Sequence, residues 1–251
     1  MQQSNTYIIV YSGVLTIILG FLLSGSAQFL GPWQAESIAL DKKKQILGAV
    51  ISAEEIGVMT PEQVNAFYSN NIASSVVDLN GKEVTEGGVT AENVEVAKLY
   101  KKPAEERLYP VYIYHEEGNP AAVKSYIFPL YGAGLWDAIW GYVALNTDMN
   151  TIGGITLAHA GETPGLGARI TEPGVQARYV GKKIFDENGE LVAVVMKKGE
   201  GKDYSTKPHE VDGMSGATIT AIGVNNMLSN YLGYYSAYIK SKSSAQAVAG
   251  L

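Results

Sequence analysis

The chain has 251 residues, 46% of them hydrophobic and 18% charged, with a formal net charge of −6. This composition suits a protein with one or two folded cores, and it disfavours a nucleic-acid partner because no Lys/Arg patch dominates. The absence of cysteine excludes disulfides, Cys-ligated iron–sulfur clusters and thiolate zinc sites within the chain, and the three histidines (His115, His159, His209) are scattered, so no metal site is expected.

No Asp, Glu, Lys or Arg occurs before Glu36, and Tyr7 to Leu23 is almost wholly apolar. A bilayer core asks for about 20 such residues in a helix, so one transmembrane span is predicted. A cleaved signal peptide competes, since Gly25-Ser26-Ala27 offers small residues for cleavage, but the amino-terminal stretch lacks Lys and Arg and the apolar run is long for a signal. A retained anchor is the expectation. Lys42-Lys43-Lys44 after the span nominally pulls the following domain into the cytoplasm, although a long domain translocates largely regardless of charge.

Gly31-Pro32 is expected to break the first helix. A second helix is predicted from Gln34 to Val50, with Ile38, Lys42, Gln45 and Ala49 on one line and Ala35, Ala39, Ile46 and Val50 on another. Thr60-Pro61-Glu62 reads as an N-cap, a first-turn proline and an acidic first turn. Val76 to Gly81 reads as a short strand ending in a turn, and Glu83 to Arg107 carries no clear pattern. Strands are predicted at Val111–Tyr114, Ser125–Phe128, Gly141–Asn146, Ile152–Ala158 and Leu191–Met196, with a turn at Asp148-Met149-Asn150. Helices are predicted at Thr171–Tyr179 and Ile219–Lys240. The second carries Val224, Leu228, Tyr231, Tyr235 and Tyr238 as a core-facing stripe. Beyond Ser241 periodicity stops and a frayed tail is expected. Strands interrupted by helices without βαβ regularity indicate an α+β fold.

Two loops carry the chemistry. Asp212-Gly213-Met214-Ser215-Gly216-Ala217-Thr218-Ile219-Thr220 places small residues and three hydroxyls at the start of a long helix. Unpaired N–H groups and the positive end of the helix dipole favour an anion there, although an ordinary Ser/Thr cap has the same look. In Glu162-Thr163-Pro164-Gly165-Leu166-Gly167, two glycines around Leu166 permit tight or left-handed backbone, as a plain turn also would. No complete G-x-G-x-x-G follows a strand: Gly132-Ala133-Gly134 and Gly165-Leu166-Gly167 each lack the third glycine, so no NADH site is expected. Trp136, Trp140 and Tyr142 suit either a core or a stacking role, and Lys197 and Lys198 either solvent or a phosphate.

The wording D-G-M-S-G-A-T resembles the D-x-x-[ST]-G-A-T signal of bacterial proteins that carry FMN covalently, and E-T-P-G-L-G resembles the loop against the flavin in that family. Leu40 to Leu47, Gly134 to Gly141 and Gly153-Gly154-Ile155-Thr156 are further similar to the family of C-type subunits of the bacterial sodium-translocating NADH:quinone oxidoreductases. The G-type subunits of the Rnf-type electron transport complex are the related family to exclude. The resemblance covers the anchor, the helix after it and most of Tyr131 to Tyr234.

It implies an α+β chain organised as an anchor (1–33), a membrane-proximal segment (34–129), a covalent FMN-binding domain (130–240) and a tail (241–251). Further, it implies FMN joined by its phosphate to Thr218 through a periplasmic flavin transferase. Asp212, Ser215, Gly216, Ala217, Glu162, Thr163, Gly165, Leu166, Gly167 and Trp136 would surround the cofactor. The chain would sit in the inner membrane with a periplasmic domain, partnered by the bilayer and by membrane and flavin/iron–sulfur subunits. It would relay electrons from NADH oxidation elsewhere toward ubiquinone. An exported flavin reductase and a tethered scaffold are the rival readings.

Overall fold

The computed structural model describes residues 4–249, which divide into two compact units at Lys42 and Lys43. Helix α1 runs without interruption over Asn5–Leu47, with Pro32 inside it. The break expected at Gly31-Pro32 does not occur, and no separate helix begins at Gln34. A proline removes one backbone bond and costs about 3 kcal/mol in a helix interior, yet the helix continues through both Gly31 and Pro32. Among the described residues this is the one helix long and apolar enough to cross a membrane. Ile9, Phe21, Leu23 and Phe29 are exposed, as lipid-facing side chains would be. Thr16 and Ser26 donate their hydroxyls to the carbonyls of Ser12 and Leu22 one turn back, so these polar groups are satisfied within the helix.

In the second unit a five-stranded antiparallel meander is built in chain order from β1 (Ile72–Val77), β2 (Tyr109–Glu116), β3 (Asn119–Ala133), β4 (Ala138–Asn146) and β5 (Ile152–His159). Four of the predicted strands are the centres of β2 to β5, and the turn after Val77 is present, with Asp78 Oδ1 accepting from the amides of Asn80 and Lys82. Short helix α2 (Ala53–Val58) and helix α3 (Pro61–Asn71) precede β1. The N-cap read at Thr60 is a full capping box, in which Thr60 Oγ1 accepts from the Gln63 amide and Gln63 Oε1 from the Thr60 amide. The patternless stretch from Glu83 to Arg107 contains α4 (Val96–Leu99) and irregular turns.

Strand alternation sorts the sheet into two covered faces. Phe128 and Val143, paired across β3 and β4, point with Leu130, Ile155 and Leu157 into a core closed by α6 (Thr218–Ala249). The stripe read from the sequence, Val224, Leu228, Tyr231, Tyr235 and Tyr238, is buried there, and the Tyr235 hydroxyl donates to the Pro110 carbonyl at 2.7 Å. Toward the other face, Trp140 donates from Nε1 to Gln45 Oε1, and Thr156 donates from its hydroxyl to the Gln45 carbonyl.

Further expectations are corrected. Leu191–Met196 is not a strand throughout: β6 is only Val195–Met196, pairing parallel with β7 (Glu210–Val211), because Ala193 has φ 52° and leaves extended geometry. Thr171–Tyr179 is the short α5 (Pro173–Gln176) followed by a 3₁₀ turn. The stretch after Ser241 stays helical to Ala249, since its Ala, Ser, Lys and Gln residues sustain a helix without periodicity. The boundary drawn at 129/130 falls inside β3, so the segment before it supplies part of the same sheet.

Candidate flavin site

The two loops of the sequence motifs meet at the start of α6. Glu162, Thr163, Leu166 and Gly167 from one loop face Gly216, Ala217 and Thr218 from the other. With Leu135, Ile219 and Thr220 they line a cavity of about 260 Å³. Thr218 is the first residue of α6, where backbone N–H groups have no carbonyl one turn back to bond.

Glu162 holds the walls together. It is only 3% exposed, and each of its carboxylate oxygens accepts a hydrogen bond. Oε1 accepts from the Trp136 amide at 2.9 Å, and Oε2 accepts from the Thr220 hydroxyl at 2.5 Å. Its own amide donates to His159 Nδ1 at 3.2 Å. Burial pushes the pKa of this carboxyl up, but hydrogen bonds from Thr220 and from the amides of Trp136, Asp137 and Leu135 outweigh it and leave the group below its ordinary value. One buried anion therefore joins the β3–β4 hairpin tip, the loop after β5 and the first turn of α6.

Glycine makes this possible at two positions. A Cβ on Gly134 would overlap Glu162 Oε1, and one on Gly167 would overlap both Glu162 Oε2 and Thr220 Oγ1. Gly165 contributes differently, through φ 74° in the turn where the Thr163 carbonyl accepts from the Leu166 and Ala168 amides.

Not every sequence-derived candidate lines the cavity. Trp136 lies at its edge, 70% exposed, with Nε1 donating to Thr163 Oγ1 at 3.1 Å. Asp212 turns toward another loop and accepts from the amides of Gly201 and Lys202. The Ser215 amide donates to Glu200 Oε2 at 3.0 Å. Tyr142 is core, and Lys197 pairs with Glu210. Leu135 and the pairing of Thr220 with Glu162 escape sequence reasoning. A hydroxyl one turn into an apolar helix is the only local signal for that pairing. A larger cleft of about 560 Å³, lined by Arg178, Lys182, Lys202 and Asp212 among others, does not include Thr218.

The residues fit a flavin nucleotide. The Thr218 hydroxyl and the first amides of α6 suit a phosphate. Exposed Leu135, Trp136, Leu166 and Ile219 around the mouth suit a planar apolar ring. The cavity is smaller than the ~300–1,000 Å³ typical of ligand pockets, so a ring system would extend over these side chains rather than be enclosed.

Residues 134–233 match the FMN-binding domain family, a segment that contains both Glu162 to Gly167 and Asp212 to Thr220 and all the cavity-lining residues. The fold and site are thus those of an FMN-binding-domain protein preceded by a long apolar helix. The C-type subunit of the Na(+)-translocating NADH-quinone reductase of Pseudomonas aeruginosa is 32% identical, over 92% of this chain and 93% of its own length. That of Haemophilus ducreyi is 34% identical over 88% and 86%. The crystal structure of the corresponding subunit from Parabacteroides distasonis superposes with a TM-score of 0.69 at 34% identity, covering 84% of this chain and 96% of that one. Shewanella oneidensis NqrC, at 23% identity and the same TM-score of 0.69, shares the fold. The chain belongs to this NqrC family, the C-type subunits of the Na(+)-translocating NADH-quinone reductases.

Proposed function

We propose that this chain is the electron-carrier subunit of a sodium-translocating NADH:quinone oxidoreductase and holds FMN by a phosphoester to Thr218. The observation that carries the reading is the placement of the Thr218 hydroxyl at the start of α6, on a cavity whose other wall is the Glu162–Gly167 loop. When bound, the flavin supplies one- and two-electron chemistry that no side chain here offers. The chain's own residues hold and orient it. Thr218 would give the attachment oxygen, the first amides of α6 would hold the phosphate, and Glu162 would keep the three walls in register.

Esterifying a free phosphate in water is unfavourable, so attachment needs a donor whose flavin phosphate is already in an anhydride, such as FAD. In such a transfer the Thr218 Oγ1–P bond would form as the anhydride P–O bond breaks, with AMP leaving and the hydroxyl proton passing to a base. A flavin transferase would supply that base. Among the described cavity-lining residues there is no Lys or Arg, and Glu162 is an anion. A singly charged diester therefore suits the site better than a doubly charged free phosphate ester.

Membrane anchoring agrees with the long apolar α1. In this reading the domain that follows lies in the periplasm, where a flavin transferase reaches it, and neighbouring subunits of the complex deliver and accept the electrons. The test is peptide mass mapping of the protein from its native host, paired with Thr218→Ala. FMN on the Thr218 peptide, and loss of the fluorescent band from a denaturing gel in the variant, are expected. A fluorescent band that persists in Thr218→Ala sinks the assignment. A reporter at Leu251 that is active only in the cytoplasm would overturn the orientation.

A further inference from the structure

Outside the cavity, a second carboxylate laces together the loops that form it. Glu200 Oε1 accepts from Arg169 Nη2 at 2.7 Å and from Arg178 Nη2 at 3.2 Å, while Oε2 accepts from Arg169 Nη1 at 2.9 Å and from the Ser215 amide at 3.0 Å. All of the acceptor capacity of a carboxylate is used. Arg169 lies in the 3₁₀ turn Gly167–Thr171 that continues the Glu162 loop, and Ser215 lies in the run leading to Thr218. Arg178 also donates from Nη1 to the carbonyls of Asp212 and Gly213. Asp212 in turn accepts from the amides of Gly201 and Lys202, the two residues that follow Glu200.

The backbone is shaped for this arrangement. Gly199 and Gly201 flank Glu200 at φ 91° and 89°, a region that side-chain-bearing residues rarely adopt. A Cβ on Gly213 would overlap the Lys197 carbonyl oxygen, so the two segments approach as only glycine allows. Both guanidinium groups are occupied by carboxylates and carbonyls, which makes them parts of the scaffold rather than donors toward the cavity.

We propose that Glu200 is a positioning residue for flavin attachment: it fixes the run from Asp212 to Ala217 against the Gly167–Thr171 turn and so sets where the Thr218 hydroxyl stands. This rests on the assignment of Thr218 as the attachment residue. Loss of the carboxylate frees the Ser215 amide and unties Arg169 from Arg178, and the acceptor hydroxyl then samples more positions than the transferase can use.

The experiment follows covalent flavin per polypeptide against time for the full-length chain in detergent, incubated with a flavin transferase, FAD and Mg²⁺. Glu200→Gln, and Arg169→Lys, which keeps the charge but cannot bridge both carboxylate oxygens, should each slow attachment on the order of tenfold, the scale of one or two lost charge-assisted hydrogen bonds. The flavin that does attach should show an altered visible circular dichroism. Glu210→Gln removes a nearby ion pair, Lys197 to Glu210 at 3.1 Å, that does not touch Ser215, and it should attach flavin at the native rate. Native rates and dichroism in Glu200→Gln and Arg169→Lys overturn the proposal, as does equal slowing in Glu210→Gln. If Glu200→Gln fails to fold, Arg169→Lys decides. A native chain that acquires no flavin at Thr218 removes the attachment reading itself, and this proposal with it.

Discussion

Glu162 and Glu200 are both carboxylates that accept hydrogen bonds on each oxygen, and both join segments that are distant in the chain. They differ in what surrounds them. Glu162 is buried and held by a backbone amide and one hydroxyl, with no Arg or Lys among its hydrogen-bond donors. Glu200 is a quarter exposed and held chiefly by two guanidinium groups. A buried anion held by neutral donors depends on each of them, because nothing else compensates its desolvation. An anion near solvent between two cations can exchange lost bonds for water. The inner node should therefore be indispensable to stability, and the outer node should act on position more than on stability.

Glu162→Ala is expected to have the largest effect on the inner node. It leaves the Trp136 amide and the buried Thr220 hydroxyl without their acceptor, and the expected cost is about 3 kcal/mol or more, a fall in Tm of roughly 6–12 °C. Thermal unfolding of the chain in detergent checks it. A Tm within a degree of native would mean that water replaces the carboxylate and that the inner node is not special.

Thr220→Val keeps the shape of the side chain and removes only the hydroxyl. Glu162 Oε2 then loses its 2.5 Å partner, and the expected cost is about 1–2 kcal/mol. Chemical denaturation at neutral pH measures it, and a neutral or stabilising outcome would show that the hydroxyl is dispensable.

The smallest expected effect is on acid stability. Glu162 has a folded-state pKa below its ordinary value, so the stability it contributes is present above the unfolded pKa, near ~4.3, and is lost as pH falls through the folded pKa. Glu200 is depressed further, by bonds from Arg169, from the Ser215 amide and from Arg178, so its contribution persists to lower pH. Denaturation midpoints measured from pH 6 downward should show a shallower acid decline in Glu162→Gln than in the native chain. Identical declines would mean that Glu162 does not titrate differently on folding.

The legible parts of the molecule are those where a local pattern has a local cause. The capping box at Thr60, the tyrosine stripe of α6 and the centres of β2 to β5 each follow from neighbours a few residues apart. The break expected at Gly31-Pro32 is absent although both residues disfavour a helix interior. The fraying expected after Ser241 is absent because a missing apolar stripe counts for less than the helical preference of its Ala, Lys and Gln residues. Ala193 is the converse case, where a left-handed residue within an apolar run keeps the residues before Val195 out of the strand that composition alone would place there.

By itself the sequence determined the two loops, their order and the helix that follows Thr218, because glycine, proline and hydroxyl residues act on their own backbone. Only the tertiary structure decided that Glu162 meets Thr220, and that Arg169, Arg178, Glu200 and Ser215 share one node. Which donors converge on a carboxylate depends on how the sheet, the loops and α6 pack, and a hydrogen bond between residues far apart in the chain leaves no periodic trace in the sequence.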